Sequence, residues 1–305
     1  MPAWDKRTKP EKCKSMMPDE YCHDKVAQNG STLYYSTMFL PEQKRRAIVA
    51  LLACSRELND IVNECSDEKV AGVKLQWWRE EIDRLFGGVP QHPVTKNLGE
   101  VMGRFGLAQN DLLKIVNGVE AELHFAGVMS FDQLLQHCYQ VAGPVGWCSG
   151  RILGYQDERT LQHSLDLATA IYLTEILRKT RAHARRGVVH LPLEDMEEFR
   201  VRPDDLLQNQ TPEALKALFQ LQVKRIRGQY RKAVQTLPDI DRYGHCSGLI
   251  TVNIFQALLT EIEKDGFRML EHELHLTPLR KLWLAWKTAW IEGKRVKRVG
   301  KLAAS

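Results

Sequence analysis

The sequence predicts an all-α protein built as one helical domain. Apolar residues recur three and four positions apart through most of the chain, which is the spacing of a buried helix face. Alternation of β-branched residues is nearly absent, and turn signals such as FGGVP and RRGVVHLP fall between helical segments. The chain has 305 residues, 44% of them hydrophobic, with no internal repeat and no long linker. A single domain is therefore the simplest organisation.

The helical segments follow one another from Pro41 to the end of the chain. Pro41 starts a helix with apolar positions at Ile48, Leu51 and Leu58. The next segment ends at a glycine pair, as helices commonly do. Further helical patterns cover 93–106, 110–123, 131–155, 161–187, 193–199, 211–238, 247–267 and 279–293. The predicted layout is an irregular N-terminal arm (1–28), an all-α domain (29–292) and a basic C-terminal tail (293–305).

Composition limits where the protein acts and what it binds. No apolar run approaches ~18 residues and the N-terminal segment is polar, so we expect a cytoplasmic protein without a membrane span. Seven cysteines without zinc-like spacing favour reduced thiols over a disulfide framework. Serine-hydrolase, P-loop and dinucleotide glycine patterns are missing from the sequence. No nucleic-acid partner is expected.

The C-terminal helical segment combines aromatic and basic residues. Trp283, Trp286 and Trp290 are three and four positions apart and precede a tail with five basic residues, which account for most of the net charge of +5. Indole rings and cations both favour an anionic membrane surface, so peripheral membrane contact is one interpretation. The other is a helix packed on the core with a solvated end.

A polar pattern interrupts the first long helix. The stretch RELNDIVNEC, Arg56 to Cys65, places polar side chains at positions 59, 60, 63 and 64 beside apolar neighbours. Residues four apart on a helix share one face. Carboxylates at that spacing, facing a second pair on another helix, could hold Mg²⁺ ions that neutralise a leaving diphosphate. Here two of the four side chains are amides.

Five ordered blocks of the chain resemble the squalene/phytoene synthase family, from about Tyr34 to about Trp290. They read YYSTMFLPEQKRRAIVALLACSRELNDIVNE, KLQWWREEIDRLF followed by HPVT, CYQVAGPVGWCSGRILGY, LTEILRKTRAHARRGVVHLPLEDM, and ALLTEIEKDGFRML with LTPLRKLWLAW. The chain looks most similar to bacterial members that make presqualene diphosphate or squalene for hopanoids. The resemblance implies an isoprenoid-synthase-type helical bundle around a central cavity. Two aspartate-rich motifs on facing helices would carry Mg²⁺ there while two prenyl diphosphates condense head to head.

The chain departs from the family at those two motifs. Where the first motif has Asp-Asp-x-x-Asp-Glu, this chain has Asn59, Asp60, Asn63 and Glu64, preceded by the expected Arg56. Where the second has Gln, Asn, Arg, Asp and Asp, it has Tyr172, Glu175, Arg178, Lys179 and His183. Tyr139 of the CYxVAG block is kept, and His190 replaces a tyrosine. The resemblance marks these residues, His190 excepted, as candidate substrate-binding residues.

The substitutions predict that no Mg²⁺ cluster assembles. Amides are weak ligands for a hard dication and a lysine repels it, so neither a metal nor another cofactor is expected. Asp60 is rotated by about 100° from the face of Asn59 and Asn63, which makes it a poor substitute. A single metal contact by Glu175 and His183 is an alternative.

The cationic segment from Arg178 to Arg186 leaves two interpretations open. Arg178, Lys179 and their neighbours could hold a diphosphate in place of metal, with Arg56 pointing into the same cavity. Alternatively, Lys179 and Arg181 pair with Glu175, Asp60 or Glu64 to neutralise carboxylates in an abandoned cavity.

Two functional hypotheses remain. The first is a family member that is non-catalytic or strongly altered. Such a protein binds a prenyl diphosphate or another anionic lipid-like ligand, or serves an assembly role with a protein partner. The alternative is an active head-to-head prenyl transferase that uses Mg²⁺ to make presqualene diphosphate, squalene or phytoene. His163, which lies near acidic residues, is expected at the surface.

Overall fold

The computed structural model describes residues 16–27, 30–65, 67–208 and 210–302, with side chains in the last helix described as far as Arg295. Within these ranges the chain forms helices and no strands, which confirms the all-α prediction. The helices are α1 (Pro18–Val26), α2 (Thr32–Thr37), α3 (Glu42–Glu64), α4 (Glu68–Phe86), α5 (Pro93–Met102), α6 (Gln109–Leu123), α7 (Phe131–Leu153), α8 (Arg159–Arg178), α9 (Thr180–Ala184), α10 (Leu193–Glu198), α11 (Glu213–Thr236), α12 (Cys246–Lys264) and α13 (Pro278–Leu302). Short 3₁₀ turns occupy Pro203–Leu207 and Arg268–Leu270.

Side chains at the helix starts explain several of these boundaries. The Asp67 carboxylate accepts a hydrogen bond from the Lys69 N–H (2.8 Å) and so caps α4. Ser130 and Gln133 cap α7 reciprocally, because each side chain accepts a hydrogen bond from the other residue's N–H. Such caps satisfy backbone donors that have no partner inside the helix.

Glycines allow α7 to lie unusually close to its neighbours. A Cβ atom at Gly146 would lie 2.4 Å from the Ser164 carbonyl oxygen of α8. A Cβ atom at Gly118 of α6 would lie 2.7 Å from the Gln140 carbonyl oxygen of α7. Any larger residue would push these helices apart. The close contacts fix how α6, α7 and α8 present their polar side chains to one another.

The apolar core consists of two clusters of buried side chains. One is built from α1, α3, α4, α5, α6 and the C-terminal half of α7. The other is built mainly from α8, α11, α12 and the start of α7. Helix α3 belongs to the first cluster and α8 to the second. Space between these two helices is therefore a boundary between cores, where a cavity can persist.

The predicted layout needs two corrections. The arm expected over 1–28 is helical at α1, whose Cys22 is fully buried, while 1–15, 28 and 29 lie outside the described residues. The helix expected over 161–187 breaks at Lys179 (φ −99°, ψ 13°), which separates α8 from α9. The sequence left the order of the basic tail (293–305) open; in the structure α13 continues as far as Leu302, and 303–305 lie outside the described residues.

The six described cysteines are free thiols, and Cys13 lies outside the described residues.

Candidate functional site

Two adjoining cavities lie between α3 and α8. The outer cavity, about 520 Å³, has a charged lining, and we call it the polar mouth. The inner cavity, about 380 Å³, is lined mostly by apolar side chains, and we call it the apolar chamber. Both are lined by Leu33, Leu52, Ser55, Asn59, Tyr172, Glu175 and Phe255. The shared lining makes them one site with a polar entrance and an apolar interior, an arrangement that suits an amphipathic ligand.

Helix α3 contributes two amides to the polar mouth. The Asn59 amide N–H donates to the Ser55 carbonyl oxygen (2.7 Å), one turn earlier on the same helix. The Asn63 side-chain oxygen accepts a hydrogen bond from the Arg186 guanidinium (2.9 Å). At position 63, a cation therefore already occupies the oxygen that an aspartate would offer to a metal.

The carboxylates of α3 turn away from the mouth. Asp60 is paired with Lys25 (2.9 Å) and Arg56 (3.1 Å), as expected from its rotation around the helix. Asp60 and Glu64 line a separate groove beside α4, together with Trp77. The sequence identified three charged α3 residues as candidates: Arg56, Asp60 and Glu64. Arg56 lines the mouth, whereas Asp60 and Glu64 are not among the described residues that line it.

The second motif region is internally paired. Glu175 contacts the Arg178 guanidinium (2.6 Å) and lies 3.6 Å from the Lys179 ammonium. Lys179 lines the mouth, while Arg178 lines a small neighbouring cavity and approaches the Leu274 carbonyl oxygen (3.4 Å). Pairing of Lys179 with Glu175 matches one of the two interpretations of the cationic segment. Lys179 still lines the mouth when it is paired, so the other interpretation, in which the cations hold a diphosphate, is compatible with the structure.

His183 lines the mouth as a neutral residue. Burial, together with the nearby His190 and Arg186, lowers the pKa of His183 to about 3. Its ring lies 4.7 Å from that of His190. The cationic segment predicted from the sequence is thus less positive than its composition suggests, because this histidine carries no charge at neutral pH.

A buried carboxylate at the mouth is held by histidines that the sequence analysis did not select. Glu122, on α6, contacts His137 (2.7 Å) and His190 (2.9 Å) through different oxygens. Burial raises the pKa of Glu122, but hydrogen bonds from His137, His190 and Tyr172 outweigh it and hold the pKa well below its usual range. Burial and the Glu122 carboxylate together raise the pKa of the Tyr172 hydroxyl. Glu122 is therefore ionised and fully engaged.

Two sequence-based assignments do not coincide with this site. The Tyr139 hydroxyl lies 3.1 Å from the Lys232 ammonium, and Tyr139 is absent from the described lining of mouth and chamber. His137, two residues before Tyr139 on α7, contacts the mouth residue Glu122 instead. His163 is fully buried rather than exposed, lines the chamber, and its Nδ1 contacts the Ala233 carbonyl oxygen (2.7 Å).

The residues present do not fit a Mg²⁺ cluster. Among the described residues of the mouth, the carboxylates are Glu122 and Glu175, and both already have cationic or imidazole partners. The amides at 59 and 63 are weak ligands, and the lysine at 179 adds a repelling charge.

A second surface lies on α13. Trp283, Trp286 and Trp290 are each about half exposed (53%, 56% and 51%). Two lysine ammonium groups lie over these rings, Lys287 at 4.7 Å from the Trp283 centroid and Lys294 at 3.5 Å from the Trp290 centroid. Over the described part of the chain, no helix is both long and apolar enough to cross a bilayer.

An all-helical chain that encloses an apolar chamber behind a polar mouth has the architecture of the isoprenoid-synthase-type proteins. The chain belongs to the squalene/phytoene synthase family, whose model matches residues 26–280. It is 28% identical to the phytoene synthase of Arthrospira platensis over 280 residues, with 86% of this chain and 89% of that protein covered. It is 25% identical to the 15-cis-phytoene synthase of a Synechocystis strain over 288 residues, with 90% and 85% covered.

Solved structures show the same fold. A dehydrosqualene synthase in complex with ligand aligns with a TM-score of 0.78 at 21% identity, with 90% of this chain and 97% of that chain covered. The squalene synthase HpnC from Alicyclobacillus acidocaldarius aligns with a TM-score of 0.68 at 20% identity, with 82% and 94% covered. The expected likeness to squalene synthases thus appears among the structures, whereas these similar sequences are named phytoene synthases.

Proposed function

We propose that the chain binds a prenyl diphosphate, with the hydrocarbon in the apolar chamber and the diphosphate in the polar mouth. The observation that carries the proposal is the continuity of the two cavities, which share lining residues from α2, α3, α8 and α12. Burying an isoprenoid tail in the chamber is favourable at roughly 25 cal/mol per Å² of apolar surface. Members of this family act on such ligands, which supports the assignment.

Fixed cations, rather than Mg²⁺, hold the diphosphate in this proposal. Lys25, Arg56 and Lys179 line the mouth, and each is more than one-fifth exposed. Their carboxylate partners, Asp60 and Glu175, keep them in place without enclosing them. Ammonium and guanidinium groups bind phosphate oxygens by charge-assisted hydrogen bonds. Catalysis that depends on a metal-stabilised leaving group is lost or strongly altered in this arrangement.

Binding without Mg²⁺ is testable by thermal unfolding in EDTA. Farnesyl or geranylgeranyl diphosphate should raise Tm in the absence of metal, because a ligand that binds the native state stabilises it. Lys179→Asp should abolish the shift. Lys264→Asp is the matched control, since Lys264 also ends a helix and pairs with a glutamate on its own helix (3.2 Å from Glu261). If EDTA removes the shift in the wild-type chain, binding by fixed cations is refuted.

The second candidate function is head-to-head transfer between two prenyl diphosphates. The comparisons favour it over a non-catalytic role, because the similar curated proteins are named phytoene synthases. The side chains at positions 59, 63, 179 and 183 oppose its usual metal-dependent form. An assay with farnesyl or geranylgeranyl diphosphate, Mg²⁺ and NADPH decides between the candidates. Diphosphate release with a C30 or C40 product would establish the transferase; binding without turnover would establish the first candidate.

The exposed tryptophan face of α13 is the proposed contact with a membrane. Lysines lie over two of its three rings, those of Trp283 and Trp290, so apolar insertion and attraction to anionic headgroups act on the same face. The full chain should float with vesicles that contain phosphatidylglycerol and not with pure phosphatidylcholine. Exchange of Trp286 and Trp290 for glutamine should abolish flotation, whereas Trp77→Gln, at an exposed tryptophan on α4, should not. Unchanged flotation of the double variant would refute this contact.

A further inference from the structure

Glu122, His137 and His190 offer ligand atoms that all lie within 4.8 Å of one another, and we call these residues the Glu–His cluster. They come from three separate parts of the chain: the end of α6, the first half of α7 and the loop before α10. The close approach of α6 and α7 at Gly118 places Glu122 against His137. The Phe125 ring packs against both imidazoles with centroids 4.4 Å away and limits their rotation.

Two imidazoles and one carboxylate suit a transition metal rather than magnesium. Zn²⁺ and its neighbours bind imidazole nitrogen at about 2.0–2.1 Å, and three protein ligands with one open position are typical of reactive zinc sites. Neighbouring ligand atoms of a tetrahedral site stand about 3.3 Å apart. The observed contacts of 2.7 and 2.9 Å are slightly shorter. A small shift of the Glu122 carboxylate away from the two rings would therefore admit an ion.

Burial of the cluster provides a second observation. The side chains of Glu122 and His137 are each 10% exposed and that of His190 is 1% exposed, so the ligand atoms are largely shielded from water. The Nδ1 atom of His190 has no hydrogen-bond partner among the described residues, but it is not the ligand atom of the cluster, because His190 contacts Glu122 through Nε2. Buried carboxylates and imidazoles that converge away from water are a setting in which metal ions are commonly bound.

We propose that the Glu–His cluster binds one transition-metal ion of the Zn²⁺ class, with an open coordination position beside the polar mouth. Glu122 and His183 both line the mouth, so an ion held by Glu122 borders the space assigned to the diphosphate. The positive charges of Lys179 and Arg186 lie near His183, and they disfavour a metal cation without an anionic ligand at this side of the mouth. The same positive charges favour an anionic fourth ligand, such as a phosphate oxygen. The site does not depend on the proposed function, because the metal ligands lie outside the set of cations assigned to the diphosphate.

Metal titration of the full-length protein tests the proposal. After treatment with EDTA and removal of the chelator, Zn²⁺ or Co²⁺ should bind at one ion per chain in calorimetry, and Co²⁺ should show the visible absorption of a low-coordinate site. His137→Gln and His190→Gln should each weaken binding by more than about 100-fold. His124→Gln is the matched control, because His124 forms an exposed pair with Glu68 (2.8 Å) that lacks a second imidazole. Circular dichroism of the metal-free variants checks that they are folded.

Each result has a defined meaning. If the wild-type chain binds no Zn²⁺ or Co²⁺, or if His124→Gln removes binding as strongly as His137→Gln, the assignment is overturned and the cluster is a buried ion pair. Should the variants fail to fold, the Co²⁺ spectrum of the wild-type chain still decides, since four-coordinate Co²⁺ gives intense visible bands whereas octahedral Co²⁺ gives weak ones. Adding pyrophosphate to the Co²⁺ protein should alter that spectrum. An unchanged spectrum would overturn the open position beside the mouth.

Discussion

At the scale of single residues, the side chains at 59, 63, 179 and 183 determine which ions the mouth accepts. Exchange of Asn59, Asn63, Lys179 and His183 for aspartate together should create a Mg²⁺ site. Mg²⁺ should raise the Tm of this variant. At a metal concentration of 100 Kd, the free energy of unfolding should increase by about 2.7 kcal/mol. The wild-type chain should gain none, because amide, ammonium and imidazole groups do not gather Mg²⁺. Differential scanning calorimetry with and without Mg²⁺ measures both.

The four-fold variant needs a control for general carboxylate effects. Four aspartates at exposed positions outside the mouth, such as Lys69, Lys114, Lys224 and Lys264, change the charge without building a site. If Mg²⁺ raises the Tm of that control as much as it raises the Tm of the mouth variant, the effect does not depend on placing the aspartates in the mouth. An equal rise in the wild-type chain would show that the mouth already holds Mg²⁺.

His163 makes a separate contribution to stability at low pH. Burial lowers the pKa of His163 to about 4, which its hydrogen bond to the Ala233 carbonyl oxygen only partly offsets. The unfolded chain takes up a proton on this residue near pH 6.5, whereas the folded chain does so only near pH 4. Stability is therefore complete above pH 6.5 and falls as the pH drops towards 4, by about 2 kcal/mol at pH 5. Urea unfolding at pH 8 and pH 5 measures the loss.

Substitution isolates the His163 contribution. His163→Gln should lower stability at pH 8 but reduce the difference between pH 8 and pH 5 by about 2 kcal/mol. His275→Gln, at an exposed histidine, should leave that difference unchanged. If His163→Gln keeps the full pH difference, the acid sensitivity arises from other groups.

The sequence predicted the direction of a side chain correctly where the geometry of a single helix determines it. The rotation of Asp60 away from Asn59 and Asn63 follows from 100° per residue, and the structure places it accordingly. Glu122 and His137 could not be found in this way, because their meeting depends on how closely α6 packs on α7. One available signal was that His137 and Tyr139 are two residues apart and therefore lie on different faces of α7, so they are not expected to contact the same neighbour.

At the scale of helices, the close contact between α7 and α8 makes a sharp prediction. Gly146→Ala should destabilise the protein by about 1–3 kcal/mol, because the added Cβ would lie 2.4 Å from a backbone oxygen that cannot rotate away. Gly228→Ala in α11 is the matched control, since nothing lies within 4 Å of its added Cβ. It should stabilise by roughly 0.5–1 kcal/mol through helix propensity. Chemical denaturation of both variants measures the contrast, and similar effects of both would refute the packing argument.

Helix existence was easier to predict than helix boundaries. Periodicity located the long helices, because their apolar faces pack on the core. The break at Lys179 was missed, since its residue types all suit a helix and the interruption shows only in the backbone angles. Helix α1 was missed because its sequence is polar, and its stability comes from packing against α3 and α5 rather than from its own pattern.

At the scale of the whole molecule, the site lies where two cores meet. Helix α3 belongs to one core cluster and α8 to the other. A ligand can therefore fill the chamber between them without displacing side chains from either cluster. The all-α class followed from the sequence alone. The central cavity was predicted from the family resemblance. No local sequence pattern indicates which helix faces stay apart and so leave a cavity between them.

Filling the chamber should therefore separate tail binding from diphosphate binding. Ala142 lines the chamber and does not line the mouth. Ala142→Phe should abolish the thermal shift with farnesyl diphosphate, because the ring occupies the space for the tail, while a weaker shift with inorganic pyrophosphate persists. Ala214→Phe, at an exposed position of α11, is the control and should bind both ligands as the wild type does. If Ala142→Phe is folded and still binds farnesyl diphosphate with unchanged affinity, the tail does not enter the chamber and the ligand assignment must be abandoned.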